Sequence, residues 1–214
     1  MRLEQSQKKD FLLGLYIACM LLANLLGTKI TSLFGVRVSV GIFFVPVLFL
    51  TTDVIGEVYG KREAGRFVAL SLFLLVFTLG MTALAIALPA NAGWGSQEEY
   101  ARVFGSSLRM MGASILAYIV SQFHDVWAFD FWKRRTGGRL LWLRNNASTI
   151  VSQFIDTTIF MFAAFYGAAP RFTVSFIFEL IIPYWLCKVV LALLDTPLCY
   201  FLVKWLRSGH SGKI

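Results

Sequence analysis

Cysteine, histidine and charge are all scarce in this chain of 214 residues. Its three cysteines, Cys19, Cys187 and Cys199, lie inside apolar stretches, and an odd number so placed argues against a disulfide framework. With two histidines and no paired Cys or His spacing, the sequence offers no ligand set for a metal, and none is assigned. A Walker-type phosphate loop is also missing, which excludes ATP hydrolysis by that route. Only 15% of the residues are charged, against 57% hydrophobic and a mean hydropathy of +0.69. That is more apolar surface than a soluble core can hide, so the chain reads as an all-α polytopic membrane protein.

What is present is organised as apolar windows of membrane-spanning length. Six are expected, at about residues 11–34, 38–59, 67–89, 108–131, 146–168 and 184–206, making one transmembrane domain of residues 1–214. The net charge of +8 is concentrated in loops: Lys61, Arg62 and Arg66 follow the second window, and Lys133, Arg134, Arg135, Arg139 and Arg144 follow the fourth. By the positive-inside rule both loops, and with them both termini, are cytoplasmic. The loop charge serves topology and the lipid bilayer rather than nucleic acid. The first window is too long for a signal h-region and lacks a small-residue cleavage site, so it is expected to stay as a membrane helix. Residues 172–207 are too long for a single span, and Pro183 is expected to separate an interfacial or re-entrant piece, 172–182, from the last helix.

The most informative pattern is a repeat. Ile119-Val-Ser-Gln-Phe-His-Asp125 recurs, one residue changed, as Ile150-Val-Ser-Gln-Phe-Ile-Asp156. The fourth window enters the cytoplasm and the fifth leaves it, so the copies form a local inverted repeat. Gln122 and Gln153 then share a depth of roughly 12 to 14 Å from the cytoplasmic ends of their helices, at 1.5 Å per residue. Antiparallel packing would set Ser121 level with Asp156, and Asp125 level with Ser152. In each helix the polar residues recur at i, i+3, i+4 and i+7, Ser114, Tyr118, Ser121, Gln122 and Asp125 in one, Asn145, Thr149, Ser152, Gln153 and Asp156 in the other. Such stripes must face protein or a cavity. Asn24, Thr28 and Lys29 in the first window add to this set, as do Asp53 and Glu57 in the second and Tyr184, Lys188 and Asp195 in the last.

Each residue also has a plainer explanation. Polar side chains in membrane helices often only tie helices together, and a buried Asp–Lys pair can be structural. Asp53 and Glu57 can simply neutralise Lys61 and Arg62. His124 lies about 100° around the helix from Asp125 and is expected to pack or bond locally. The Gly56 and Gly60 spacing is a weak hint of a homodimer and more often means close packing. Several carboxylates on several helices are nonetheless hard to explain as glue.

Asn24-Leu-Leu-Gly-Thr-Lys29, Thr52-Asp-Val-Ile-Gly-Glu-Val-Tyr-Gly60, the Ser-Gln-Phe-His-Asp run ending at Asp125, and Arg144-Asn-Asn-Ala-Ser-Thr-Ile-Val-Ser-Gln-Phe-Ile-Asp-Thr157 together resemble the queuosine precursor transporters that work without an energy-coupling-factor ATPase, a family grouped with vitamin-uptake-like proteins. The resemblance extends over nearly the whole chain. It implies six helices similar to those of energy-coupling-factor substrate-binding subunits, and import of 7-deazaguanine bases, such as the 7-cyano and 7-aminomethyl forms, salvaged for tRNA modification. A carboxylate can accept the ring N–H and exocyclic amine of such a base, and an amide can donate to its carbonyl. On this reading Asp125, Asp156, Gln122, Gln153, Asn24, Asn146, Tyr184 and Trp185 bind substrate, while Asp53, Glu57, Lys29, Lys188 and Asp195 gate or couple. No cofactor and no catalytic residue is implied. Three other classes share the pattern: a substrate-binding subunit docked to an ATPase, an intramembrane aspartyl protease, for which the expected Gly-x-Gly-Asp sequence is missing, and a purely structural membrane protein.

Overall fold

A computed structural model describes residues 4–33, 35–135 and 141–207. Six long helices dominate it: α1 (Gln5–Leu26), α2 (Val45–Tyr59), α3 (Lys61–Ala87), α4 (Gln97–Arg135), α5 (Leu141–Phe165) and α6 (Val174–Arg207). Among the described residues, four stretches are long and apolar enough to cross a membrane, Gln5–Leu26, Val40–Tyr59, Arg62–Ala87 and Gln97–Ser121, with a shorter apolar helix at Ile150–Phe165. Large apolar side chains are exposed along the helices. On α3, Phe73, Phe77, Met81 and Leu84 recur at helical spacing and are all exposed. A soluble monomer rarely shows such a stripe, and lipid is the solvent that suits it.

Between α1 and α2 the chain departs from the continuous apolar window that its composition suggests. Ile30–Leu33 (β1) and Val36–Ser39 (β2) pair as an antiparallel hairpin turning through Gly35, and a 3-10 turn, Val40–Phe43, leads into α2. Helix α1 therefore ends at Leu26, not near residue 34. Alternation explains the change: Val38 is buried while its neighbour Arg37 faces out, pairing with Glu179 of α6 at 2.7 Å and lying over the Phe176 ring. The hairpin is held from below as well. Ser39 Oγ donates to the Gly27 carbonyl at 2.6 Å and accepts from the Gly41 amide at 3.1 Å.

Gly27 sits in this crossing with no room for a side chain. A Cβ there would collide with the Ala23 carbonyl oxygen and lie 3.0 Å from the Met110 methyl of α4. Gly27→Ala should therefore cost about 1–3 kcal/mol as backbone or Met110 shifts to make space. A lowered unfolding midpoint of the purified protein in detergent is the expected result. An unchanged midpoint would show that the crossing is slack.

Gly60 joins α2 to α3 at φ 88°, a conformation that other residues rarely adopt, and its amide closes the last turn on the Gly56 carbonyl at 3.0 Å. Gly56 leaves space facing the Ala64 Cβ, 3.9 Å from where its own would stand. The glycine spacing thus serves a turn and a close α2–α3 approach within one chain.

Pro183 does not divide the last apolar stretch. Helix α6 runs unbroken from Val174 to Arg207, so the piece expected to stand apart at 172–182 supplies its first turns. Proline removes one backbone hydrogen bond, and side chains around it compensate: Ile177, Leu180, Ile181 and Tyr184 are all buried against Val38, Ile42, Met161 and Phe172.

A second apolar cluster closes the end of the bundle that carries both termini. It joins Leu12 and Tyr16 of α1, Val54 and Ile55 of α2, Phe67 of α3, and Val203 and Leu206 of α6. Lys8, itself buried, donates to the Trp205 carbonyl at 2.6 Å, and Lys9 pairs with Glu63 at 2.8 Å. The first lysine completes an orphan carbonyl in the last turn of α6, where a cation also suits the helix dipole. These bonds place the start of α1 and the end of α6 side by side.

Candidate functional site

Four polar residues of α5, Ser152, Gln153, Asp156 and Thr157, share one face because i, i+3, i+4 positions stack on a helix. That face meets α4 and α6 together. Asp156 Oδ2 accepts from Lys188 Nζ of α6 at 2.8 Å, and Oδ1 lies 3.4 Å from the Ser121 hydroxyl of α4. The lysine side chain is 10% exposed and the carboxylate 25%, so the ion pair is well removed from solvent. At 1.5 Å per residue Lys188 stands about 20 Å from the start of α6 and nearly 30 Å from its end. A charge pair so far from either helix end needs a partner or a cavity, and here each charge supplies the other.

The register between α4 and α5 is the one that the repeat predicts. Ser121 meets Asp156, and one turn further along His124 Nδ1 lies 3.0 Å from the Ser152 hydroxyl. As numbers rise on one helix they fall on the other, so the two copies run antiparallel. His124 both packs locally, its ring centre 5.9 Å from that of Trp127, and bridges to the second copy.

Around the ion pair, aromatic groups come from the same turns. Tyr184, one turn before Lys188, is buried, and the ammonium lies 5.7 Å from its ring centre. Trp185 donates from Nε1 to the Ile150 carbonyl at 3.3 Å and meets Phe154 edge-on with centroids 5.4 Å apart. Among the described residues, three buried oxygens in α5 have no hydrogen-bond partner: Gln153 Oε1, Thr157 Oγ1 and Thr158 Oγ1. Buried polar atoms are nearly always satisfied, so open acceptors within a turn of an ion pair mark a place that a polar ligand can complete.

Other residues of the expected set lie elsewhere. Asn24 is buried and accepts from Ser114 of α4 at 2.6 Å, on the polar stripe but about 10 Å along the helix from Ser121. Its amide also donates to the Met20 carbonyl at 2.9 Å, a local bond that suits a residue tying α1 to α4. Lys29 is exposed beside the hairpin, where its carbonyl accepts from Val40. Glu57 is 64% exposed and pairs at 3.7 Å with Arg207. Asp53 is exposed on the same helix. The side chains of Gln122, Asp125, Asn146 and Asp195 lie outside the described residues.

Thr157 and Thr158 were not singled out by spacing, since hydroxyls in an apolar helix usually bond to their own backbone. Lys188 was visible as a buried cation, but its partner was not. Asp156 and Lys188 are 32 residues apart, and only the packing of α5 on α6 brings them together.

At the opposite end of the bundle a cavity of about 510 Å3 opens between α4, the end of α5 and the connection that follows it, lined by Thr28, Arg109, Met110, Phe165, Arg171 and Phe172 among others. Arg109 holds its wall. It donates from Nε to the Ala163 carbonyl at 2.9 Å and from the guanidinium to the Tyr166 carbonyl, closing the exposed end of α5. Met161, Phe165, Ile181 and Tyr184 pack between this cavity and the ion pair.

Comparison with known proteins bears on what passes here. The family model for "Putative vitamin uptake transporter" matches residues 39–202. A "Probable queuosine precursor transporter" of Bacillus subtilis (strain 168) is 36% identical over 190 residues, covering 88% of this chain and 81% of its own. A "Queuosine precursor transporter" of Escherichia coli (strain K12) is 27% identical over 167 residues, covering 76% of this chain and 71% of its own. No solved structure matches.

Proposed function

The chain belongs to the vitamin uptake transporter family, and on that premise we propose that it imports queuosine precursors, the 7-deazaguanine bases, across the plasma membrane for salvage into tRNA. It is a multi-pass membrane protein. In this reading α5 and α6 cross the bilayer as well as the four apolar stretches before them, giving six spans with both termini in the cytoplasm. The joined ends of α1 and α6, together with Arg66, which shares Glu63 with Lys9, support that orientation. No chemical step is assigned to the protein: it binds a base and releases it unchanged.

The observation that carries the reading is the Asp156–Lys188 pair at the junction of α4, α5 and α6, with Ser121 on one side and unfilled acceptors on the other. A 7-deazaguanine offers a ring N–H beside an exocyclic amine, and a carboxylate accepts both together. Gln153 can take a further N–H, and Tyr184 and Trp185 supply flat surfaces for the ring. Asp125, Gln122 and Asn146 are included as further binding groups because they lie on the same two helices. Asn24 is placed as a tie that keeps α1 on α4 beside the path. Lys29, Asp53, Glu57 and Asp195 are assigned to gating.

Uptake of labelled 7-deazaguanine into vesicles containing only this chain tests the proposal. Saturable uptake is expected, reduced by 7-cyano- and 7-aminomethyl-7-deazaguanine and not by biotin. Uptake that appears only when a separate ATPase is added would make the chain a binding subunit instead.

A further inference from the structure

Lys188 has so far figured as the counter-charge of Asp156, yet its position gives it a second property. Its Nζ stands 2.8 Å from Asp156 Oδ2, with Oδ1 beyond, so the pair presents a donor, an acceptor and a second acceptor in a row. A six-membered lactam with a neighbouring amine presents the complementary row: a carbonyl acceptor, a ring N–H donor and an amine donor. We propose that Asp156 and Lys188 read that whole edge as one unit. Lys188 donates to the ring carbonyl while Asp156 takes the ring N–H and the amine, and the ion pair is loosened, not broken, as the base enters. The inference rests on the import of deazaguanine bases and adds to it the residue that recognises the carbonyl.

Two observations favour Lys188 for this role. An ammonium carries three N–H donors, and one bond to Asp156 leaves two to offer. Tyr184 lies beneath the ammonium with its ring centre 5.7 Å away and limits where Nζ can move, so the donor is held beside the carboxylate. Specificity follows from the same arrangement. A base with an amine in place of the carbonyl would point a donor at an ammonium, and its ring nitrogen, now without a hydrogen, would turn an acceptor toward Asp156. Adenine-type rings are thereby rejected by two mismatched contacts, not by size.

The test is a ligand series read against substitutions at Lys188. Binding of 7-deazaguanine, of its 6-thio analogue, which keeps the ring N–H but weakens the carbonyl acceptor, and of its analogue lacking the amine is measured calorimetrically on the purified chain. For the wild-type protein, the sulfur should weaken binding about tenfold and loss of the amine about tenfold to a hundredfold, the size of one charge-assisted hydrogen bond. In Lys188→Met the penalty for weakening the carbonyl should vanish while the penalty for losing the amine persists. Lys188→Gln, which keeps an N–H donor and much of the volume, should retain a reduced carbonyl penalty, and it carries the test if the methionine protein does not fold. A carbonyl penalty that stays at the wild-type value in either variant would overturn the assignment. Wild-type protein that binds none of the three ligands would overturn the import reading itself.

Discussion

Asp156→Asn protein, present in membranes at the wild-type level, should lose saturable 7-deazaguanine uptake by at least about a hundredfold, because a charged, doubly accepting group is replaced by one with a single acceptor and a competing N–H2. Asparagine has nearly the same shape, so packing at the α4–α5–α6 junction is kept. What changes is the charge that faces Lys188 at 2.8 Å and the acceptor available to a ring N–H and amine. A contrast is available in the same chain. Glu179 of α6 is also a carboxylate paired with a cation at 2.7 Å, but its side chain is 57% exposed and that of Arg37 51%, and Glu179→Gln should alter uptake less than about fivefold. Vesicle uptake at equal protein content measures both. Normal uptake by the Asp156→Asn protein would remove the ion pair from the transport path.

The placement of Asp156 was legible because a repeat carries direction. Two copies of one run on consecutive helices must meet antiparallel, and Ser121 opposite Asp156 is what that geometry requires. His124 packs on Trp127 as its place on the helix suggests, whereas its bond to Ser152 is not legible, because a helical wheel gives its angle from Asp125 but not how far α5 wraps round α4. The hairpin at Ile30–Ser39 was hidden because β-branched residues in an apolar window read equally as membrane helix or strand, and burial of Val38 against α6 decides between them. Pro183 misled in the opposite direction. Local preference argues for a break, but four buried apolar residues within two turns hold the helix together. The partner of Lys188 could not be read at all, since nothing local records which of several carboxylates a distant helix will meet.

Lys188→Leu on its own should destabilise the protein by about 3–5 kcal/mol, because it leaves the Asp156 carboxylate among packed helices with, among the described residues, just the long 3.4 Å contact to Ser121. The double substitution Asp156→Asn with Lys188→Leu should recover most of that loss. Taking out both charges removes the desolvation penalty along with the attraction, and a neutral pair of similar volume is often as stable as the ions it replaces. Unfolding midpoints of the four proteins in one detergent complete the cycle, and a coupling of at least about 2 kcal/mol is expected for groups in direct contact. Uptake should follow a different order. The double variant folds yet carries nothing, since it has neither the acceptors for the ring N–H and amine nor the donor for the carbonyl. A pair kept only for stability would give the reverse result, a double variant that both folds and transports, and that outcome would reduce Asp156 and Lys188 to a tie between α5 and α6.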